Sequence, residues 1–412
     1  MKPASGSRVC CPYCYEEISQ LPAWFRCSGW MSRDSRRCEP EVDDVLRIRT
    51  GFGGALPPAF AAGGRPPAAN CPECGTETTT KICPVCHSRL PVHFGSVGNR
   101  LIALVGPKET GKTVFLTVLV HELMNQTGRL LNASISGADE DTSERFAEDY
   151  EQPLYGNSRL LAPTTTAAGV RNRIPLVFRF TTGGHGPRGL NGRLAQVGPF
   201  GPFGRKAQHT LLSFFDTAGE DLRSKQSVEQ NARYLAAADG VVLLLDPLQM
   251  KGTQGLIAPS TRMPTPGTIA DQPAQVLENI TDLILTGEKT RPNERISKPL
   301  AITFSKIDTL FHELRQTSPL LRPPAQTSYF DEGESLAVHA EIQRLLSRWD
   351  GPRIDQFAQL NYRQYRYFAV SALGETPTED NRVSARGIRP YQVASPFLWI
   401  LAQLGAFPVR RS

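Results

Sequence analysis

From about residue 100 onward the chain alternates between two textures. Short, nearly unbroken apolar runs at 101–105, 174–180, 211–215, 241–245, 300–304 and 367–370 have the length and composition of buried strands. Between them, 113–125, 227–238, 274–285, 335–349 and 391–404 carry apolar residues at the spacing of a helix that covers a sheet. This alternation predicts an α/β fold: a doubly wound, mainly parallel sheet with helices on both faces. Two stretches break the rhythm. Residues 181–207 are rich in Gly and 249–271 in Pro, Gly and Thr, so both are expected as surface loops. The apolar stretch 396–408 is too short to span a bilayer and suits a terminal helix that turns Trp399 and Leu404 into the core.

Residues 1–94 lack that periodicity and are rich in Cys, Pro and Gly, with a flexible loop expected at about 50–70. All nine cysteines of the 412-residue chain lie before residue 87. A boundary is therefore expected between a cysteine-rich module at 1–94 and an α/β domain at 95–412. Clustered thiols in a chain with no basic-then-apolar leader and no run of about 18 apolar residues point to metal ligation in the cytoplasm rather than to disulfides. The net charge of +6 is mild for this length and neither demands nor excludes an anionic partner.

Between the run at 101–105 and the helical pattern that follows stand Gly106, Pro107, Lys108, Glu109, Thr110, Gly111, Lys112 and Thr113. This is the spacing of a phosphate loop. The glycines let the backbone curl so that successive N–H groups and a helix N-terminus face phosphates. Lys112 is expected to reach the β- and γ-phosphates, and Thr113 to ligate Mg²⁺.

Three further segments follow apolar runs. In Phe-Phe-Asp-Thr-Ala-Gly-Glu, Asp216 can hold Mg²⁺ through water and Gly219 can turn its N–H toward the γ-phosphate. In Ser305-Lys306-Ile307-Asp308, the aspartate can accept from guanine N1–H and the N2 amine, donors that adenine does not offer as a pair. Taken alone, an Asp in that position more often caps a helix. In Ser371-Ala372-Leu373, a loop N–H can meet guanine O6.

In their order and separation these segments resemble the G1, G3, G4 and G5 motifs of Ras-like GTPases of the TRAFAC class, over roughly residues 98–405. The wording Gly-Pro-Lys-x-x-Gly-Lys-Thr, Phe-Phe-Asp-Thr-Ala-Gly-Glu-Asp and Ala-Ala-Asp-Gly-Val-Val-Leu-Leu-Leu-Asp-Pro is most similar to bacterial double-GTPase-type domains of conflict and signalling systems. The resemblance implies a GTP·Mg²⁺ switch with Lys112, Asp216, Gly219 and Glu220 around the reacting phosphate. It also implies a switch threonine on Mg²⁺, for which Thr165 within Thr164-Thr165-Thr166 is favoured. Two residues depart from the pattern. Ser305 stands where Asn or Thr is usual, which weakens the hold on the base. Glu220 stands where a water-orienting Gln is usual and brings negative charge near the γ-phosphate, so slow or partner-activated hydrolysis is expected. A nucleotide-binding scaffold without turnover is the alternative, and an ATPase is disfavoured by Asp308. Arg159, Arg171, Arg223 or a partner can each supply a catalytic arginine, and the sequence does not choose.

Cys71-x-x-Cys74 and Cys83-x-x-Cys86 have the spacing of a zinc ribbon, in which two knuckles complete a tetrahedron of thiolates. Pro follows the first cysteine of each pair and no thioredoxin-like unit surrounds them, which argues against redox chemistry. Cys11, Cys14, Cys27 and Cys38 offer a second zinc site. The halves can also pair across the Gly/Pro loop, with Cys11 and Cys14 sharing a metal with Cys83 and Cys86, and Cys10, His87 and His93 are substitute ligands. The module is expected to address a protein partner, as are the switch loops. Arg33, Arg36 and Arg37 near Trp24, Phe25 and Trp30 fit a solvated charge run better than a nucleic-acid reader.

Overall fold

The computed structural model describes residues 9–29, 38–92, 94–95, 98–161, 174–183, 208–214, 232–257, 261, 263–264, 273–287, 294–323, 327–349 and 351–411. The cysteine-rich part is built from short strands: β1 (Trp24–Arg26), β2 (Glu41–Val42), β3 (Ala55–Leu56), β4 (Ala59–Ala61), β5 (Ala69–Asn70), β6 (Glu77–Thr78) and β7 (Lys81–Ile82). β1 lies between β4 and β7, antiparallel to both, while β2 pairs with β3 and β5 with β6. The stretch expected to be one loop at 50–70 therefore contributes strands. A helix, Asp44–Thr50, precedes it. Asp43 caps that helix through the Leu46 N–H and also holds Arg26 at 2.7 Å and His87 at 2.9 Å. Burial pushes the Asp43 carboxyl up, but the bonds from Arg26, Leu46 and His87 prevail and hold it at about 2.

The remaining strands are β8 (Gly98–Val105), β9 (Ala133–Gly137), β10 (Leu176–Thr182), β11 (Gln208–Phe214), β12 (Gly240–Leu245), β13 (Leu300–Phe304), β14 (Phe330–Asp331), β15 (Tyr365–Ala369) and β16 (Val409–Arg410). Seven of them form one sheet in the order β15-β13-β12-β8-β11-β10-β9. β15, β13, β12, β8 and β11 are parallel, and β10 runs antiparallel between β11 and β9. The sheet is covered on both faces, which is why β12 can be apolar and buried along its whole length. Leu101, Ala103 and Val105 join Val241, Leu243 and Leu245 in one core, with apolar residues of helices Pro273–Gly287 and Glu332–Arg348. Ile102, Leu104, Val242 and Leu244 join the other, with helices Lys112–Met124 and Ser395–Gln403. The fold is thus a doubly wound, mainly parallel P-loop sheet with a small cysteine-rich part before it. Among the described residues no helix is long and apolar enough to cross a membrane.

Several expected bounds shift. The helix expected at 391–404 begins at Ser395, because Tyr391 is paired through its backbone with Ser371 instead. Trp399 is buried in it as expected, and Leu404 is partly buried against the same core. Within the stretch expected as a loop at 249–271, Lys251–Leu256 forms a 3-10 turn. In the one at 181–207, β10 continues to Thr182, and 184–207 lie outside the described residues.

Candidate nucleotide cavity and paired cysteine centres

Strands β8, β12 and β13 end on the same edge of the sheet, and the segments that follow them meet there around a cavity of about 480 Å³. The loop after β8 shows why its glycines stand where they do. A Cβ on Gly106 would lie 2.3 Å from the carbonyl oxygen of Leu244, and Gly111 has φ +82°, so neither position accommodates an ordinary side chain. Glu109 is also left-handed, at φ 65°. Thr110 is fully buried and donates to Pro107 O at 2.9 Å, which closes the turn. Lys112 opens the helix, and its Nζ donates at 2.9 Å to the carbonyls of both Gly106 and Pro107. Lys108, Glu109, Thr110, Gly111, Lys112 and Thr113 all line the cavity, with the positive end of helix Lys112–Met124 behind them.

Ser305, Lys306 and Asp308 line it from the end of β13, and Ser371, Ala372 and Leu373 from beyond β15. Three segments separated by up to about 260 positions in the sequence thus converge on one space. Asp308 does not cap a helix: Lys306, left-handed at φ 52°, precedes the 3-10 turn Ile307–Glu313, and Asp308 lies in its first turn. Burial pushes the Asp308 carboxyl up, the Ser371 hydroxyl and the Lys306 ammonium pull it back, and Asp246 adds to the rise. Its partners thus offset burial only in part, and a ligand that donates to the carboxylate would complete the compensation. Ser371 is held in place by paired backbone bonds with Tyr391 at 2.8 and 3.0 Å, and its hydroxyl accepts from Gly374 N–H at 2.8 Å.

Two residues to which the sequence reading gave no role brace the site. Asp246, fully buried at the end of β12, accepts from Leu248 N–H at 2.9 Å and from Lys306 Nζ at 2.6 Å. Gln249, 2% exposed, donates its Nε2 to Lys108 O at 3.1 Å, and Lys306 Nζ also reaches Glu109 O at 2.8 Å. The loops that follow β12 and β13 are thereby tied directly to the loop that follows β8. Ser305 turns inward, its hydroxyl donating to Leu245 O at 3.1 Å. The one sequence hint of this bracing was a charged residue closing the Val-Val-Leu-Leu-Leu run, followed by Pro.

Asp216, Gly219, Glu220, Thr165, Arg171, Arg223 and His93 lie outside the described residues. Of the three expected Mg²⁺ ligands, Thr113 alone is described, at the cavity wall beside Lys112. Arg159 pairs through its backbone with Arg382.

The cysteines require a correction. Cys71, Cys74, Cys83 and Cys86 do not share one site, and neither do Cys11, Cys14, Cys27 and Cys38. The sulfurs form two other quartets, Cys11/Cys14/Cys83/Cys86 and Cys27/Cys38/Cys71/Cys74, with all ligand atoms in each within 4.8 Å of one another. The first is the pairing across the Gly/Pro loop. The quartets are nested in sequence, Cys27/Cys38/Cys71/Cys74 falling inside Cys11/Cys14/Cys83/Cys86, and β1, which leads into Cys27, lies between β4 and β7. Sγ to Sγ distances are 3.8 Å for Cys11 to Cys86 and Cys14 to Cys83, 3.6 Å for Cys27 to Cys74 and 3.7 Å for Cys38 to Cys71. A tetrahedron with Zn–S of about 2.3 Å has edges of about 3.8 Å, so both quartets fit zinc. Three knuckles repeat one geometry: the N–H of Tyr15, Gly75 and His87 donates to the carbonyl of Cys11, Cys71 and Cys83, at 2.8–3.0 Å, and all three residues have positive φ.

No family model matches the chain. It is 28% identical over 359 residues to the "Putative ESX-1 scaffolding and assembly protein SaeC" of Mycolicibacterium smegmatis, covering 82% of this chain and 84% of that protein. It is also similar to the signal recognition particle receptor SRb-GTP/SRX complex from Chaetomium thermophilum, at 14% identity over 68% of this chain and 94% of that one, with a TM-score of 0.28. The Arl6 BBS3 small GTPase from Trypanosoma brucei with a bound nucleotide analogue is similar at 11% identity over 74% of this chain and 98% of that one, again with a TM-score of 0.28. At that score the two resemblances are too loose to assign a function.

Proposed function

We propose that the chain binds GTP and GDP with Mg²⁺ in the cavity after β8 and uses the nucleotide as a switch in a protein-assembly role, with two zinc ions stabilising its cysteine-rich part. The observation that carries the reading is the convergence of the phosphate loop, Asp308 and the 371–373 loop on one space. Asp308 accepts the guanine N1–H and N2 amine, and a backbone N–H of the 371–373 loop meets O6. Lys112 exchanges its two carbonyl partners for phosphate oxygens, and Thr113 and Asp216 hold Mg²⁺, with Thr165 completing its coordination in the triphosphate state. Mg²⁺ when bound neutralises charge between the β- and γ-phosphates. Glu220 makes hydrolysis slow unless a partner supplies positive charge. The assembly role rests on the name of the Mycolicibacterium relative, which supports a scaffold more than a place in bacterial conflict or signalling.

Competition of GTP, GDP and ATP against a fluorescent guanine nucleotide tests the binding claim. Guanine nucleotides should win by at least ~100-fold, since a buried acceptor left without its donors is costly. Equal displacement by ATP rejects the guanine assignment, and unchanged affinity in Lys112→Ala rejects the site. Single-turnover hydrolysis with no product, in the presence of candidate partners, leaves a nucleotide-dependent scaffold in place of a GTPase.

A further inference from the structure

The knuckle Cys11-Pro-Tyr-Cys14 is fastened to the α/β domain on every side. Cys10 O accepts from Asn99 Nδ2 at 2.8 Å, at the start of β8, and Pro12 O accepts from the buried Ser213 hydroxyl at 2.7 Å, near the end of β11. Tyr13 OH donates to Asp139, which caps the helix Glu140–Arg145, and the Tyr13 ring packs with Phe94 on Ala138, Val177 and Leu211. Tyr15 is 6% exposed within the same core as Leu101 and Ala103, its ring centroid 5.0 Å from that of Tyr234. Tyr234 OH in turn donates to Ile102 O and accepts from Leu104 N–H, both at 3.1 Å, in the strand that leads into the phosphate loop. Glu16 pairs with Arg233 at 3.3 Å.

Tyr15 occupies the left-handed position that Gly75 fills in a sister knuckle, at φ 65° against 72°. A non-glycine residue is strained there, and what offsets the strain is a ring delivered into the main core. Among the described residues the other quartet shows no such attachment. Cys27, Cys38, Cys71 and Cys74 pack with Phe25, Phe60 and a few alanines of the cysteine-rich part.

These contacts converge on the strand that carries the phosphate loop. Asn99 stands at the start of β8, Ser213 lies in the neighbouring β11, and Tyr234, against which Tyr15 packs, bonds to Ile102 and Leu104 of β8 itself. We infer that Cys11/Cys14/Cys83/Cys86 is a zinc site energetically coupled to the nucleotide cavity, whereas Cys27/Cys38/Cys71/Cys74 is a zinc site that is not. The inference rests on the nucleotide reading above. A nucleotide-dependent shift of the phosphate loop is passed along β8 to Asn99 and Tyr234 and so to the knuckle they hold, and zinc is held more tightly in one nucleotide state. By linkage, loss of that zinc changes the ratio of GTP to GDP affinity by the same factor.

The test uses the full chain purified with zinc. Native mass spectrometry should count two zinc ions, one of which is lost in Cys14→Ser and the other in Cys38→Ser. Competition with a chromophoric chelator, run without nucleotide, with GDP and with a non-hydrolysable GTP analogue, should show one zinc affinity shifting ~10-fold between the two nucleotides, within the 5–150-fold range of such couplings, and the other steady within about twofold. Cys38→Ser should keep the sensitive ion, and Ser213→Ala combined with Glu16→Gln should keep both ions but lose the sensitivity. If nucleotide binds but both zinc affinities are the same in all three conditions, the coupling is wrong while the nucleotide reading stands. If no nucleotide binds, that reading fails and the coupling with it. Fewer than two ions, or one ion lost in both cysteine variants, removes the metal assignment. Should Cys14→Ser fail to fold, the wild-type competition and the Ser213/Glu16 double variant decide the matter.

Discussion

Asp308 is where the chemistry of the cavity is most concentrated. Its carboxyl is pushed up by burial and by Asp246, and only partly relieved by Ser371 and Lys306. The sign of the linkage follows. A folded-state value above the unfolded one means that ionisation costs stability, and the cost appears as pH rises past the ordinary carboxylate value of about 3.9. Asp308→Asn removes that cost, so at pH 7 the nucleotide-free variant should melt above wild type, with the gap closing as pH falls toward the ordinary carboxylate value. Its ligand preference should invert. An asparagine accepts N1–H but presents an amine donor, which clashes with the guanine N2 amine and matches the C2 carbonyl of xanthine. Melting curves and competition with GTP and XTP check both outcomes, and a variant that still prefers GTP removes Asp308 from base recognition. The second residue-scale expectation concerns Gln249. With Ser305 turned toward Leu245, the direct tie to Lys108 comes from Gln249. Losing one such bond, worth about 1 kcal/mol, should speed GDP dissociation ~5-fold in Gln249→Ala, and Gln249→Glu, which sets a carboxylate against a carbonyl, should exceed it. Stopped-flow displacement of a fluorescent GDP measures this, and a rate within twofold of wild type for both variants excludes the bracing role.

Among the elements, the strands buried on both faces were legible because burial writes itself as an unbroken apolar run. β13 spans the expected 300–304, and β12 adds one residue to 241–245. Elements that owe their shape to partners were not. β9 reads Ala-Ser-Ile-Ser-Gly with only Ile135 buried, so its strand character comes from pairing with β10 at the sheet edge. The π-helix Phe146–Gly156 contains Pro153 and departs from the spacing by which helices are recognised. The phosphate loop and Asp308 were visible because fixed chemistry imposes their spacing, whereas Asp246 and Gln249 act only through loops that the fold brings near. Helix Glu332–Arg348 carries a further consequence. His339 accepts the Tyr367 N–H of β15 at 3.1 Å and stacks on that ring at 5.2 Å. Burial, aided by Arg366 and opposed by Asp355, pushes it down to about 4. Its unfolded counterpart protonates near 6.5, so between 6.5 and about 4 the unfolded chain takes up a proton that the folded one refuses. Stability should therefore fall with pH across that window, and His339→Gln should flatten the slope. Urea midpoints between pH 4 and 7 show whether the two proteins diverge only there.

At the scale of the whole molecule, the cysteine spacing announced metal ligation but not its pairing. Spacing identifies the knuckles but not which of them meet, and the fold brings Cys83 and Cys86 to Cys11 and Cys14, and Cys71 and Cys74 to Cys27 and Cys38. The resulting sites differ in what stands behind them. Opening the Cys11/Cys14/Cys83/Cys86 site strains the bonds to Ser213 and Asn99 and the Tyr15 packing in the main core. Opening the other disturbs a small cluster around Phe25 and Phe60, with Asp43 as its principal tie to the His87 knuckle. Local opening free energy follows the packing that must be broken, so the two sites should release metal at different rates. Excess chelator should draw zinc from the nucleotide-loaded protein in two steps of equal amplitude, the fast one belonging to Cys27/Cys38/Cys71/Cys74. Cys38→Ser should abolish the fast step and leave the slow one intact. Asp43→Ala should accelerate the fast step more than the slow one, since it frees Arg26 beside Cys27 and uncaps Asp44–Thr50, while the slow site loses only the tie at His87 and keeps its contacts with the α/β domain. The P-loop sheet should keep its bound nucleotide through the fast step and release it only in the slow one, a difference that fluorescent GDP reports in the same experiment. A single release step, or nucleotide lost in the first of two, would mean that the cysteine-rich part opens as one unit with the sheet and that the nested sites are not separable.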